Sequence, residues 1–131
     1  VDALLTSGNS TVLIEYKERL YKSIADYDSI LIEFDKWVNL KDTAKLLNAS
    51  STLYINEFKD AIIIHSIDFD KGYKWYEKEL PSNNSTFKNV IKTIADLQYN
   101  NATYIIAKRT WLQATTDQLM RYIQIKNHNL K

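Results

Sequence analysis

The 131-residue chain has no cysteine, one proline and two glycines. Without cysteine it can have no disulfide scaffold, no thiolate metal site and no cysteine nucleophile. Two glycines cannot supply a phosphate-cradling loop, and with one proline they offer little turn chemistry to a strand-rich fold, which needs a turn signal every ~8–12 positions. Long apolar runs are also missing. The longest dense one is Ala61-Ile62-Ile63-Ile64, far below the ~18 residues of a membrane span, so no span is expected in this chain. The first residue is Val1, and Asp2 to Ser10 has neither a basic nor a long apolar stretch, so no signal peptide is expected within the chain.

What is present is ordinary for a globule: 45% hydrophobic and 25% charged residues, read as one domain over residues 1–131. Net charge is +1, but it is unevenly placed. Residues 1–85 hold 10 Lys and Arg against 14 Asp and Glu, a net of −4; residues 86–131 hold 7 against 2, a net of +5. An acidic body with a basic last third suits docking on an acidic surface, including that of a second copy.

Hydrophobic spacing points to helices. Leu13, Tyr16, Leu20, Ile24, Tyr27, Leu31, Phe34 and Val38 recur at steps of three and four, one stripe of an α-helix. The spacing predicts a helix over Thr11–Val38. A second is predicted over Thr52–Leu80, with the stripe Tyr54, Phe58, Ile62, His65, Phe69, Tyr73, Tyr76 and a stop at Pro81. A third segment runs from Thr86 to Lys126, either continuous or divided at Asn101. The expected fold is an all-α, antiparallel up-and-down bundle of four helices, or of three long ones if residues 86–126 are unbroken. Residues 1–10 form an extended arm and 127–131 a frayed tail in this scheme. The core is expected to contain Leu20, Ile24, Leu31, Phe34, Phe58, Ile62, Ile94, Ile105 and Leu112.

Five Asn-x-Ser/Thr sequons occur, at Asn9, Asn48, Asn83, Asn84 and Asn101. They make these residues glycosylation candidates in an exported chain. Each also lies at a predicted helix start, where Asn, Ser and Thr cap free backbone N–H groups. The 16 aromatic residues are the most unusual feature of the composition. Trp37, Trp75, Tyr99 and Trp111 sit beside the helical stripes, and large amphipathic rings so placed are interface candidates.

Other patterns are weaker. Asp68-Phe69-Asp70-Lys71-Gly72, with Glu79 beyond it, echoes a calcium loop, but it lacks the glycine at the sixth position and enough carboxylates. His65 has Ile62 three residues before it, so the Glu-x-x-His motif of di-iron bundles is absent. Lys88, Lys92, Lys108, Arg109, Arg121 and Lys126 form the basic third, but lysine dominates over the arginine that two-pronged phosphate or base recognition prefers. Nucleic acid is therefore not an expected partner. No catalytic residue, metal site or cofactor is expected. The sequence reads as a non-enzymatic subunit that self-associates into an oligomer or filament, extracellular or at the cell surface. The alternatives are an extracellular ligand sensor and a cytoplasmic accessory, immunity or nucleic-acid-complex subunit.

Overall fold

Along Ser51–Phe58 burial alternates strictly: Thr52, Tyr54, Asn56 and Phe58 are buried, and Leu53, Ile55 and Glu57 are only half so. A period of two belongs to a strand. The computed structural model describes residues 2–81 and 88–108. It contains β1 (Ala3–Ser7), β2 (Ser10–Arg19), a 3-10 turn (Ile24–Asp26), β3 (Ile30–Glu33), α1 (Phe34–Leu46), β4 (Ser51–Phe58) and β5 (Ala61–Ser66). There follow β6 (Tyr76–Pro81), β7 (Asn89–Leu97), a second 3-10 turn (Tyr99–Asn101) and β8 (Tyr104–Ala107).

The all-α bundle is thus overturned. Thr11–Val38 comprises β2, the first 3-10 turn, β3 and only the opening of α1. Thr52–Leu80 comprises β4, β5 and most of β6, and the described part of 86–126 holds β7 and β8. The reason is aliasing. Residues four apart share a face in a helix and also in a strand, because four is even. Tyr54 and Phe58 satisfy both periods. The steps of three betray the strand: Leu13 is buried, whereas Tyr16 is exposed on the opposite face. Of the expected core, Ile24, Phe58 and Ile94 are buried, Leu31, Ile62 and Ile105 are half-buried, and Leu20 and Phe34 are exposed. Leu112 lies outside the described residues. The expected N-terminal arm contains β1, paired with β2.

Two sheets form. The first has the order β1-β2-β4-β5-β8, in which β2 and β4 are parallel and the other pairs antiparallel. The second is antiparallel, in the order β3-β7-β6. The crossover between parallel β2 and β4 carries β3 and α1, so the second sheet and the helix are delivered together to one face of the first. Tyr54, Phe58, Ala61 and Ile63 on that inner face pack with Ile30, Ile32, Ala95 and Leu97 of the second sheet and Leu40 of α1.

Among the described residues, the turns at 8–9, 48–49 and 59–60 are built without proline and largely without glycine. Gly8, with φ +57°, and Asn9 form the two-residue turn between β1 and β2, the pattern of a hairpin turn with glycine first. Asn48, at φ +50°, ends α1 in the left-handed region. Its N–H donates to Lys45 O and that of Ala49 to Ala44 O (3.3 and 2.8 Å), the paired bonds of a Schellman cap. Lys59-Asp60 joins β4 to β5. There the Asp60 carboxylate accepts from the buried Ser23 hydroxyl (2.6 Å) and the Ile24 N–H (3.1 Å).

Asp60→Ala removes both acceptors and strands two buried donors, each worth roughly 1–3 kcal/mol when unpaired. The expected loss is about 2–4 kcal/mol in denaturant unfolding, with Asp60→Asn losing distinctly less because its amide oxygen still accepts one bond.

Candidate functional site

β7 brings the polar chemistry together. Register places Asp96 opposite Leu31 of β3, on the face of the second sheet away from Ala95 and Leu97. The Asp96 carboxylate accepts from the Ser29 hydroxyl (2.8 Å) and from Tyr76 (2.9 and 3.0 Å to its two oxygens). Desolvation, and then the Asp96 contact, push the Tyr76 phenol above its ordinary value. Three adjoining open clefts share Asp96 and Gln98 in their walls. One, of about 430 Å³, is lined also by His65, Lys71, Tyr73 and Lys74. The second, of about 470 Å³, has Asp26, Asp28 and Lys78. The third, of about 440 Å³, has Lys74 and Tyr76.

His65 lies on the inner face of β5, buried beside this cleft. Its Nε2 is 2.9 Å from Gln98 O. A carbonyl only accepts, so Nε2 carries a proton and, in the neutral ring, Nδ1 presents a lone pair. That Nδ1 is buried without a partner. Burial lowers the imidazole pKa, against the raising effect of Gln98 O and with a further lowering from Lys71. The ring therefore works as a neutral strut between β5 and the turn after β7.

Inside the fold, Glu15 is buried and paired with Lys36 of α1. Burial pulls the Lys36 ammonium down, but the Glu15 carboxylate outweighs it and the net shift is upward. On the outer face of the first sheet, the Tyr16 hydroxyl donates to Glu57, which also pairs with Lys108. The hydrogen bond to Glu57 is the main cause that pushes the Tyr16 phenol up to about 12. Lys108 first, then Tyr16, hold the Glu57 carboxyl below its ordinary value.

Two of the interface candidates come together and a third lies apart. Trp37 of α1 and Trp75, just before β6, are half-buried in an aromatic cluster with Phe34, Phe69 and Tyr73. The two indole rings meet edge to face at 5.5 Å, and the cluster fastens the β5–β6 loop to α1. Tyr99 is buried, its hydroxyl donating to Ile24 O (3.2 Å) and Tyr27 O (3.1 Å). Trp111 lies outside the described residues. Among the sequons, Asn9, Asn48 and Asn101 are exposed, at the β1–β2 turn, the end of α1 and the second 3-10 turn. The position of Asn48 is a helix end, not the helix start expected for it. Asn83 and Asn84 lie outside the described residues. The Asp68–Gly72 stretch is a loop in which the Asp68 carboxylate accepts from Asp70 N–H (2.9 Å). Among the described residues no cluster of three or more His, Asp or Glu suits a metal ion, and no helix is long and apolar enough to cross a membrane.

A different feature emerges at the sheet margin. Among the described residues β1 is an edge strand, Ala-Leu-Leu-Thr-Ser, with all five residues exposed and none charged. Edge β6 carries Glu77, Lys78, Glu79 and Pro81, the residues that blunt an edge against pairing. The edge strands β3 and β8 have four residues each. The Gly8-Asn9 dipeptide between Leu4-Leu5 and Val12-Leu13 was the sequence signal for this hairpin. Asp96, Ser29 and Tyr76 had no local signal, since they meet only through sheet register. No protein-family model matches the chain, and no curated protein or solved structure matches it either.

Because His65 is held neutral when folded, the unfolded chain binds more protons below the imidazole's ordinary pKa of 6.5. Stability is then fully present above pH 6.5 and falls as pH drops towards the lowered folded value, by at most about 1.4 kcal/mol per pH unit. His65→Gln keeps a donor for Gln98 O and is expected to flatten this slope in unfolding measurements between pH 5 and 7.5.

Proposed function

We propose that this protein acts through contacts with other protein chains rather than by catalysis, and that its contact is strand addition at β1. The single observation that carries the reading is an uncharged, proline-free edge strand whose five residues are all exposed. Leu4 and Leu5 are 49% and 58% exposed there, and among the described residues β1 has a neighbour on one side only. A free edge offers a row of backbone donors and acceptors to an incoming strand. A second copy supplies the same strand: antiparallel β1–β1 pairing about a twofold axis is self-complementary and closes as a dimer, joining two five-stranded sheets into one.

The polar clefts support a ligand reading less well. They are open, and the carboxylate they share is already engaged by Ser29 and Tyr76. His65 is committed to Gln98, which supports a structural duty for the one buried imidazole among the described residues. An extracellular or cell-surface setting belongs to the same proposal, supported by three exposed sequons.

Sedimentation velocity tests the contact. The wild type is expected to dimerise, and Leu4→Pro, which removes a backbone donor that faces the open edge and not β2, to sediment as a monomer with an unchanged far-UV spectrum. A wild type that stays monomeric at high concentration defeats the proposal. Separately, intact mass of protein from its native source is expected to exceed the sequence mass by glycan at Asn9, Asn48 or Asn101, and to lose the excess in the matching Asn→Gln variants.

A further inference from the structure

Past Ile14, where pairing with β1 ends, β2 has a strand partner only in β4 among the described residues. On this stretch alternation puts Lys17 and Arg19 on the same face as the buried Leu13 and Glu15. Among the described residues neither cation forms an ion pair. The carboxylates beside them, Glu15 and Glu33, are held by Lys36 and Lys92. Partial burial pulls the Lys17 ammonium below its ordinary value, and the Arg19 and Lys36 charges pull it further, against Glu33. Cations gathered in this way disfavour one another until an anion joins them.

Arg19 is not a loose surface side chain. It is half-buried, and its Nε donates to Oδ1 of the fully buried Asn56 (3.1 Å). Its guanidinium carbon lies 5.6 Å from the centre of the Tyr27 ring. One edge and one face of the fork are therefore fixed before anything binds, so little rotamer freedom remains to be lost. Its charge also acts on the Tyr54 hydroxyl, but its terminal nitrogens meet no carboxylate among the described residues. Behind the fork stands an unused donor, the Asn56 amide nitrogen, buried without a partner. Beside Arg19 is a hollow of about 30 Å³, walled also by Tyr27, Ser29, Ile30, Leu31 and Phe58. That is about the share of liquid taken by one water, room for one oxygen of a carboxylate but not for the four of a phosphate. The Asp96 carboxylate beyond Ser29 is already engaged by Ser29 and Tyr76. Lys17 and Arg19 are two residues apart on an extended strand, about 6.6 Å between Cα atoms, so both long side chains can reach one anion.

We propose that Arg19 and Lys17 form a receiving site for a single carboxylate, which the terminal N–H groups of the Arg19 fork bind as a two-pronged pair while the Lys17 ammonium closes over it. The carboxylate comes from a free small organic acid or from an acidic side chain of another protein chain. The site is separate from β1 and does not depend on pairing there.

Nuclear magnetic resonance of the full-length chain tests this, with sodium acetate replacing sodium chloride at constant ionic strength. Acetate is expected to shift the Arg19 Nε–H and Asn56 side-chain amide signals saturably, and to bind at least tenfold more tightly than inorganic phosphate. Arg19→Lys keeps the charge and loses the fork; it is expected to weaken acetate at least tenfold, read at Asn56. Lys17→Gln removes no contact inside the fold and is expected to weaken acetate severalfold, whereas Lys78→Gln leaves it unchanged. No saturable shift in the wild type, phosphate bound as tightly as acetate, or unaltered affinity in Lys17→Gln overturns the proposal. A capped five-residue alanine peptide with one central glutamate separates the two sources. Binding tighter than that of acetate assigns the site to a protein side chain, and equal or weaker binding assigns it to a free acid.

Discussion

Asp60, through its carboxylate and the backbone of its turn, gathers the ends of four strands. It sits in the turn between β4 and β5 and holds the Ser23 hydroxyl and the Ile24 N–H. Beside it, Lys59 N–H reaches Lys22 O, just past β2, and Asp60 O receives Lys108 N–H, just past β8. Ser23 caps its own 3-10 turn, accepting from Ala25 N–H while its backbone N–H donates to Asp26. From that turn Ile24 O takes the Tyr99 hydroxyl, so the same small region is tied to the chain after β7. The Ile24 side chain is fully buried in the core. Without this knot β3 would have no fixed point of entry beneath the first sheet.

The inner face of that sheet is not uniformly apolar, and its polar residues constrain register. Glu15, paired with Lys36, lies opposite Tyr54, and Tyr54 lies opposite His65. Asn56 accepts from Arg19 Nε (3.1 Å) but leaves its buried amide nitrogen unpartnered. Moving a strand by one residue turns its whole inner set outward. Such a slip in β2 would part Glu15 from Lys36 and put Tyr16 in its place. Ion pairs of this kind add little net stability, but each has only one register in which it is satisfied.

Periodicity exposed the right residues for the wrong reason. Phe58 belongs to the core with Tyr54 because spacing by four keeps a residue on one face in either secondary structure, whereas Ile24 is buried from a 3-10 turn and Ile94 from β7. Ile62 looked equivalent to Phe58, yet the two-residue turn at Lys59-Asp60 sends it to the outer face. The shortage of glycine and proline was a poor argument against strands, since Asn9, Asn48 and Asp60 carry turns that glycine often serves. Gly8-Asn9, flanked by Leu4-Leu5 and Val12-Leu13, was a readable hairpin signal. The meeting of Ser29, Tyr76 and Asp96 was not readable. Their sequence separations of 67 and 20 residues are closed only by strand order, which one sequence does not encode locally.

Strand order also sets how this chain must fold. Its two short hairpins, β1–β2 and β4–β5, each close across two residues, Gly8-Asn9 and Lys59-Asp60, and can form early and alone. The parallel ladder between β2 and β4 cannot. It joins those hairpins only after residues 20–50 have been looped across, at an entropic cost of about 3 kcal/mol beyond a constant term. Because that loop contains β3 and α1, the central ladder and the second layer gain their contacts in the same event. The β2–β4 ladder is therefore expected to be the last of these pairings to form, and until it does both hairpins keep open edges, the state in which pairing with the wrong neighbour is easiest.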